Sequence, residues 1–205
     1  MRIRSFAFLL ILLVASVAYG RGATPKELVV NLKFVPQEGV TKSTASIPPS
    51  MQEKSVEIRV EDRRGEKDPI VIGTGTGGND KTFPIKAGAK IEPFIEETLE
   101  GVAKSWGLKT VEKNGNRILV ITVTRFFIDE SNKALGSVYT SDVKLGFTLK
   151  NAGGKMLAEG AASGGTHRYG RAHSLENINE VLSDALKEAF ATILDDSALK
   201  NAWAK

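Results

Sequence analysis

The sequence predicts an α+β domain, a mostly antiparallel sheet with two amphipathic helices packed on one face. Three observations predict it. Residues 175–194 place Leu175, Ile178, Val181, Leu182, Ala185, Leu186, Ala189, Phe190, Ile193 and Leu194 on one broad stripe at the helical period. Residues 91–106 repeat the pattern with Ile91, Phe94, Ile95, Leu99, Val102, Ala103 and Trp106. The runs 54–62 and 137–150 alternate apolar with polar residues instead, the two-residue period of half-buried strands.

In chain order, the first element is MRIRSFAFLLILLVASVAYG. Arg2 and Arg4 precede an apolar stretch of 13 residues, Phe6 to Ala18, and small residues follow at Ala18 and Gly20. That is the layout of a secretory signal peptide cut before Arg21. Such a stretch reaches only about 20 Å as a helix against a hydrocarbon core of about 30 Å, too short for an anchor. The expected organisation is residues 1–20 as signal peptide and 21–205 as a single envelope domain. Its expected address is the periplasm, with no stable membrane insertion after cleavage.

The mature chain opens with ELVVNLKFV (27–35), a strand by its β-branched content. Residues 36–53 contain Pro36, Pro48 and Pro49 with little apolar content and no period. They read as a long mobile loop available for partner binding. In KSVEIRVED (54–62), Val56, Ile58 and Val60 face inward while Glu57, Arg59 and Glu61 face outward. IVIGTGTGGNDKTFP (70–84) reads as a short strand leading into a flexible glycine-rich turn. In the helix that follows, Pro93 is tolerated in the first turn, and Gly107 is placed to end it in a left-handed conformation.

KTVEK (109–113) and RILVITVTRFFIDE (117–130) flank Asn114-Gly115-Asn116, a hairpin signal. Residues 137–150 set Tyr139, Val143, Leu145, Phe147 and Leu149 on one face, with Asp142, Lys144, Thr148 and Lys150 on the other. Asn151 to Gly154 turns the chain into a small-residue strand, 155–165, and the three runs form an antiparallel meander. Ser174 is a natural N-cap for the last long helix, and Ser197 for a short terminal one, ALKNAWA.

Composition excludes several classes. The formal net charge is +4 and falls to +2 with the loss of Arg2 and Arg4, since residues 1–20 hold no acid. Basic residues are interspersed with acidic ones, which is not the concentrated basic face of a nucleic-acid binder. There is no cysteine. The core must therefore hold the domain without disulfides, and the acylated residue of a bacterial lipoprotein has no candidate.

Three motifs invite a chemical reading. Gly73, Gly75 and Gly78 satisfy GxGxxG, and Gly75 to Thr82 falls one residue short of a phosphate loop. A dinucleotide fold needs its helix to open directly at such glycines. Here Pro84 and Gly88 delay the helix to about residue 91, and Asp80 precedes Lys81 where a bare N–H is required. AASGG (161–165) approximates a nucleophile elbow at Ser163, but no acid lies between Ser163 and either histidine. His167 and His173, six residues apart with no third ligand, read as a solvated loop rather than a metal site, as do Arg168, Tyr169 and Arg171. The expectation is a non-enzyme with no catalytic, cofactor or metal site. The alternative is a nucleotide-binding protein or hydrolase using the Gly73–Gly78 loop or the Ser163 region.

The order of elements resembles the YajG-type family of bacterial envelope lipoproteins. The resemblance rests on VEDRR (60–64), IVIGTG (70–75), the helix ending LEGVAKSWGL (99–108), the meander, and a terminal helix closing in ILDDSALKNAW (193–203). Asp62, Arg63 or Arg64, Gly73, and Asp195 or Asp196 match its short motifs. It implies an exported, non-catalytic α+β domain with no settled activity. The expectation drawn for this chain is a binding or accessory module whose partners are envelope proteins or cell-wall components. Asp62, Arg63 and Gly73 are then its structural or binding positions. Read from the residues alone, Asp62 and the arginines form an ion pair that stabilises a strand end.

Overall fold

The computed structural model describes residues 25–37, 39 and 45–205, so the signal-peptide reading of residues 1–20 lies outside the described residues. Its elements are β1 (Leu28–Val30), α1 (Pro49–Gln52), β2 (Ser55–Asp62), β3 (Val71–Thr76), β4 (Thr82–Ala87), α2 (Ile91–Ser105), β5 (Lys109–Thr110), β6 (Arg117–Lys133), β7 (Gly136–Asn151), β8 (Met156–Gly170), α3 (Leu175–Asp195) and α4 (Ser197–Ala204). The strands form one sheet, and the α+β class is as the periodicities predict.

The antiparallel meander β6–β7–β8 dominates the sheet. Because β7 covers one edge of β6 along its length, the other edge is left to two strands placed end to end. β2 pairs parallel with Arg117–Val123, and β3 pairs parallel with Ile128–Glu130. β4 continues antiparallel to β3, and β1 lies parallel to β4. The inner face carries Leu119, Ile121, Val123, Tyr139, Val143, Leu145 and Leu149, all essentially inaccessible. Helix α3 lies on β7 and β8 and α2 on β2, and the four helices share one apolar cluster with that face. Trp106 stacks on Phe190 with ring centroids 6.0 Å apart, which ties the end of α2 to α3.

The helix ends follow their local chemistry. Gly107, at φ +91°, turns the chain out of α2 and donates its N–H to Lys104 O at 3.0 Å. Ser174 Oγ accepts the Asn177 N–H at 3.2 Å and caps α3. The terminal helix is capped by Asp196, whose Oδ1 accepts from Leu199 N at 2.8 Å, and not by Ser197.

Several sequence expectations are corrected. The predicted hairpin at Asn114-Gly115-Asn116 does not exist, because β5 and β6 both pair parallel with β2. The turn instead carries the chain across the start of β2. Asn114 takes the positive φ of +60° that made the motif look like a hairpin, and donates its N–H to Glu57 at 3.1 Å. Glu57 points outward as expected but is only 5% exposed beneath this crossing. The glycine-rich stretch is a hairpin, β3–β4, in which Gly73 and Gly75 are strand residues. β8 runs on through Arg168 to Gly170, so most of the expected histidine loop is strand.

The segment 36–53 is also more structured than its composition suggests. Among its described residues Met51 is fully buried, Ala45 nearly so, and residues 49–52 form a helix beginning at Pro49. Finally, the strand expected over 27–35 leaves the sheet after Val30. Residues 31–37 run instead along α3, bonded to its side chains.

Candidate functional site

Three groups of polar residues and one groove could carry function. The first group is built on the VEDRR stretch. β2 ends at Asp62, and β3 begins at Val71 further along the same edge of β6. The Arg64 guanidinium fills the gap between them. It pairs with both Asp62 oxygens at 2.9 Å, donates to Val71 O at 2.9 Å, and also bonds Pro69 O. Its side chain is 3% exposed. Burial pushes the Asp62 carboxyl up, but hydrogen bonds from the Arg64 side chain and amide outweigh it and hold the group below the usual carboxylate range. Arg63 lies outside this arrangement, mostly exposed, with Glu61 as its partner at 2.7 Å. At Gly73, a Cβ would overlap the Ile128 carbonyl oxygen, so the glycine permits the close approach of β3 to β6. Of the other matched positions, Asp195 accepts from Ser46 N at 3.1 Å and pairs with Lys200, while Asp196 caps α4.

The second group is one that sequence reasoning missed. Glu130, fully buried, accepts from Ser137 Oγ at 2.9 Å and from the His173 amide at 2.6 Å, and its carboxylate also meets the His173 ring at 3.2 Å. The Tyr139 hydroxyl has two acceptors in reach, Arg171 O at 2.6 Å and Glu130 at 3.1 Å, while accepting the Ser174 N–H at 2.8 Å. Burial raises the Tyr139 hydroxyl well above its ordinary value. The signal was available, since Glu130 continues the inward register of Phe126 and Ile128. Glu130 and Tyr139 together tie the turn into α3 to β6 and β7.

The catalytic motifs come apart. Ser163 and His167 are exposed on the outer face of β8, opposite Lys144 and Thr140, whereas His173 turns inward against Phe83. The glycines join two strands of a hairpin, with Gly78 opening only a three-residue 3-10 turn, Gly78–Asp80, and no α-helix. Among the described residues, no group of three or more metal-ligating side chains comes together.

The third group lies on α3. Asn179, Ser183 and Asp184 are buried polar residues on an otherwise apolar face. They accept the backbone N–H groups of Lys33, Val35 and Gln37 at 2.9, 3.0 and 2.9 Å. Asn179 and Ser183 also donate back to Asn31 O and Lys33 O. Burial pushes the Asp184 carboxyl up, and Arg168 stands 3.7 Å from it while pairing with Glu180. The helix thus takes the place of a neighbouring strand along one edge of residues 31–37.

The opposite edge of that segment borders a groove of about 600 Å³. Leu32, Lys33 and Phe34 form one wall; Phe94, Glu97, Thr98, Gly101, Val102 and Ser105 of α2 form the other. A second hollow, at Lys54 and Arg117, is less available for ligands because both cations already bond the Trp203 carbonyl at the end of α4.

A family model described as an uncharacterized lipoprotein matches residues 41–203. Among curated proteins, none matches the chain in sequence. Of solved structures, protein XCC0632 from Xanthomonas campestris is similar at a TM-score of 0.51 and 10% identity, over 85% of this chain and 96% of that one. That likeness bears on the fold alone. The PelC dodecamer from Paraburkholderia phytofirmans aligns at a TM-score of 0.37 and 14% identity, over 75% and 93% of the two chains. A minor lipoprotein from Acinetobacter baumannii aligns at 0.34 and 10%, over 73% and 92%.

Proposed function

We propose a function for a chain that belongs to the uncharacterized lipoprotein family: it serves as an exported, non-catalytic binding or accessory module in the periplasm. The family is one of envelope lipoproteins, and no described helix is long and apolar enough to cross a membrane. The observation that carries the reading is the contrast between the polar groups and the groove. Asp62–Arg64, Glu130–Tyr139 and Asn179–Asp184 each hold backbone in place, with the second Asp184 oxygen facing Arg168 at 3.7 Å. The groove beside α2 is lined by the apolar side chains of Leu32, Phe34, Phe94 and Val102, with Lys33, Glu97, Thr98 and Ser105 among them, and the described residues leave it open. A protein built this way offers a surface and not a reaction. Its partners would be envelope proteins or cell-wall components.

The address is tested on the native protein. Osmotic-shock fractionation should release a soluble product whose intact mass corresponds to cleavage near Arg21, after the apolar run Phe6–Ala18. An uncleaved N-terminus, or retention in membranes through a carbonate wash, would reject the periplasmic reading.

A further inference from the structure

We propose that the groove between residues 31–35 and α2 binds an extended peptide segment of a partner protein by strand addition. The proposal deepens the binding-module reading by naming the partner's chemistry, and it rests on that reading for its biological setting only.

The argument starts from the backbone of 31–37. In an extended chain, successive residues direct their N–H and C=O groups to opposite edges. The odd-numbered residues face α3, where Asn179, Ser183 and Asp184 satisfy them. The even edge begins at Val30, which pairs with β4 and accepts the Gly88 N–H at 2.8 Å. Beyond Gly88 the neighbouring strand is gone, because the chain turns into α2 at Ile91. The N–H and C=O of Leu32 and Phe34 therefore point into the groove and have no hydrogen-bond partner among the described residues. Four backbone groups in a row form an unfinished sheet edge, a template for another strand.

The lining selects the occupant. Leu32, Phe34, Phe94 and Val102 give the groove apolar walls, Lys33, Glu97, Thr98 and Ser105 add polar side chains, and α2 presents Gly101 where a side chain would narrow the channel. A hydrocarbon chain would satisfy the apolar walls but leave the four polar groups desolvated without partners, which is costly. An extended peptide meets both demands: its backbone pairs with Leu32 and Phe34, and its alternate side chains take the apolar walls. The wall formed by Leu32–Phe34 precedes the family-matched span, which starts at residue 41.

The test uses the purified mature protein and a fluorescein-labelled, end-blocked heptapeptide of alternating threonine and valine. The expected result is saturable binding at or below about 1 mM. Two versions of the probe carry N-methyl groups on either the threonine or the valine amides. One version should bind at least about tenfold more weakly while the other is unaffected, because only one edge of the peptide pairs. Gly101→Phe fills the groove, and a Cβ at Gly101 meets nothing within 4 Å, so the fold should survive. This variant should lose at least about tenfold in affinity. Independently, amide hydrogen exchange at Leu32 and Phe34 should be fast in the free protein and slow with the probe, while Lys33 and Val35 are protected in both. No binding, equal binding of both methylated probes, unchanged affinity of Gly101→Phe, or saturable binding of palmitate in place of the peptide would each overturn the proposal. A membrane-retained native protein would defeat the periplasmic reading without altering any of these results.

Discussion

Arg64→Ala lowers the thermal midpoint by about 10 °C, while Arg63→Ala next to it leaves the midpoint nearly unchanged. The difference follows from where the two guanidinium groups lie. Arg63 is largely in solvent with Glu61, and exposed ion pairs contribute little. Arg64 is 3% exposed and supplies the donors that Asp62, Pro69 O and Val71 O need between the end of β2 and the start of β3. Removing one member of a buried pair leaves the other uncompensated, at a cost of about 3–5 kcal/mol. For a domain of this size that corresponds to roughly 2–4 °C per kcal/mol. The same pair sets a pH dependence. Asp62 is held below its ordinary value in the folded state. Its contribution is therefore fully present above the unfolded carboxylate value of about 3.9, and is lost as pH falls through the lower folded value. The stability gap between wild type and Arg64→Ala, read from urea midpoints, should be constant near neutrality and shrink below about pH 4. A gap that grew on acidification, or an Arg64→Ala midpoint within 2 °C of wild type, would refute this account.

Periodicity made the long elements legible. The alternation of 137–150 and the stripes of 91–106 and 175–194 report which side meets the core, and burial follows them closely. Partner choice was illegible. The Asn114-Gly115-Asn116 turn satisfies the same left-handed backbone need whether it joins paired strands or crosses over β2, and nothing local distinguishes the two. Residues 31–35 read as the end of a strand, yet the pairing partner of 31–37 is a row of helix side chains almost 150 positions away. That partnership left a trace, since Asn179, Ser183 and Asp184 interrupt the apolar surroundings of α3. Buried polar residues on an apolar face signal bonds to something distant, as Glu130 does on β6. The free edge at Leu32 and Phe34 follows from the same partnership and is visible only once the topology is known.

The glycine motifs teach a related lesson, which Gly164→Val tests with the largest expected loss. GxGxxG and AASGG both look like fingerprints of chemistry, because glycine lets a backbone approach a phosphate or a reacting carbonyl. It also lets one element of a fold approach another. Gly75 sits under the Phe83 ring, and Gly164 lies on the inner face of β8 against α3. A Cβ at Gly164 would overlap the Ala185 carbonyl oxygen and stand 2.8 Å from the Ala189 nitrogen. These are backbone atoms in the middle of a helix, so no rotamer change relieves them, and the whole of α3 would have to lift. That helix buries Val181, Leu182, Leu186, Phe190 and Ile193 against the sheet. Ordinary overpacking costs about 1–3 kcal/mol, where side chains can adjust. Displacing α3 adds lost apolar burial to that figure, and Gly164→Val should bring the midpoint down by more than about 10 °C or prevent folding. Ser163→Val provides the contrast, since its side chain is exposed on the opposite face and a β-branched residue suits a strand. This variant should melt within about 2 °C of wild type, as surface substitutions generally do. If Gly164→Val were tolerated and Ser163→Val were not, the glycine would not be a packing device, and the outer face of β8 would regain its claim as a functional surface.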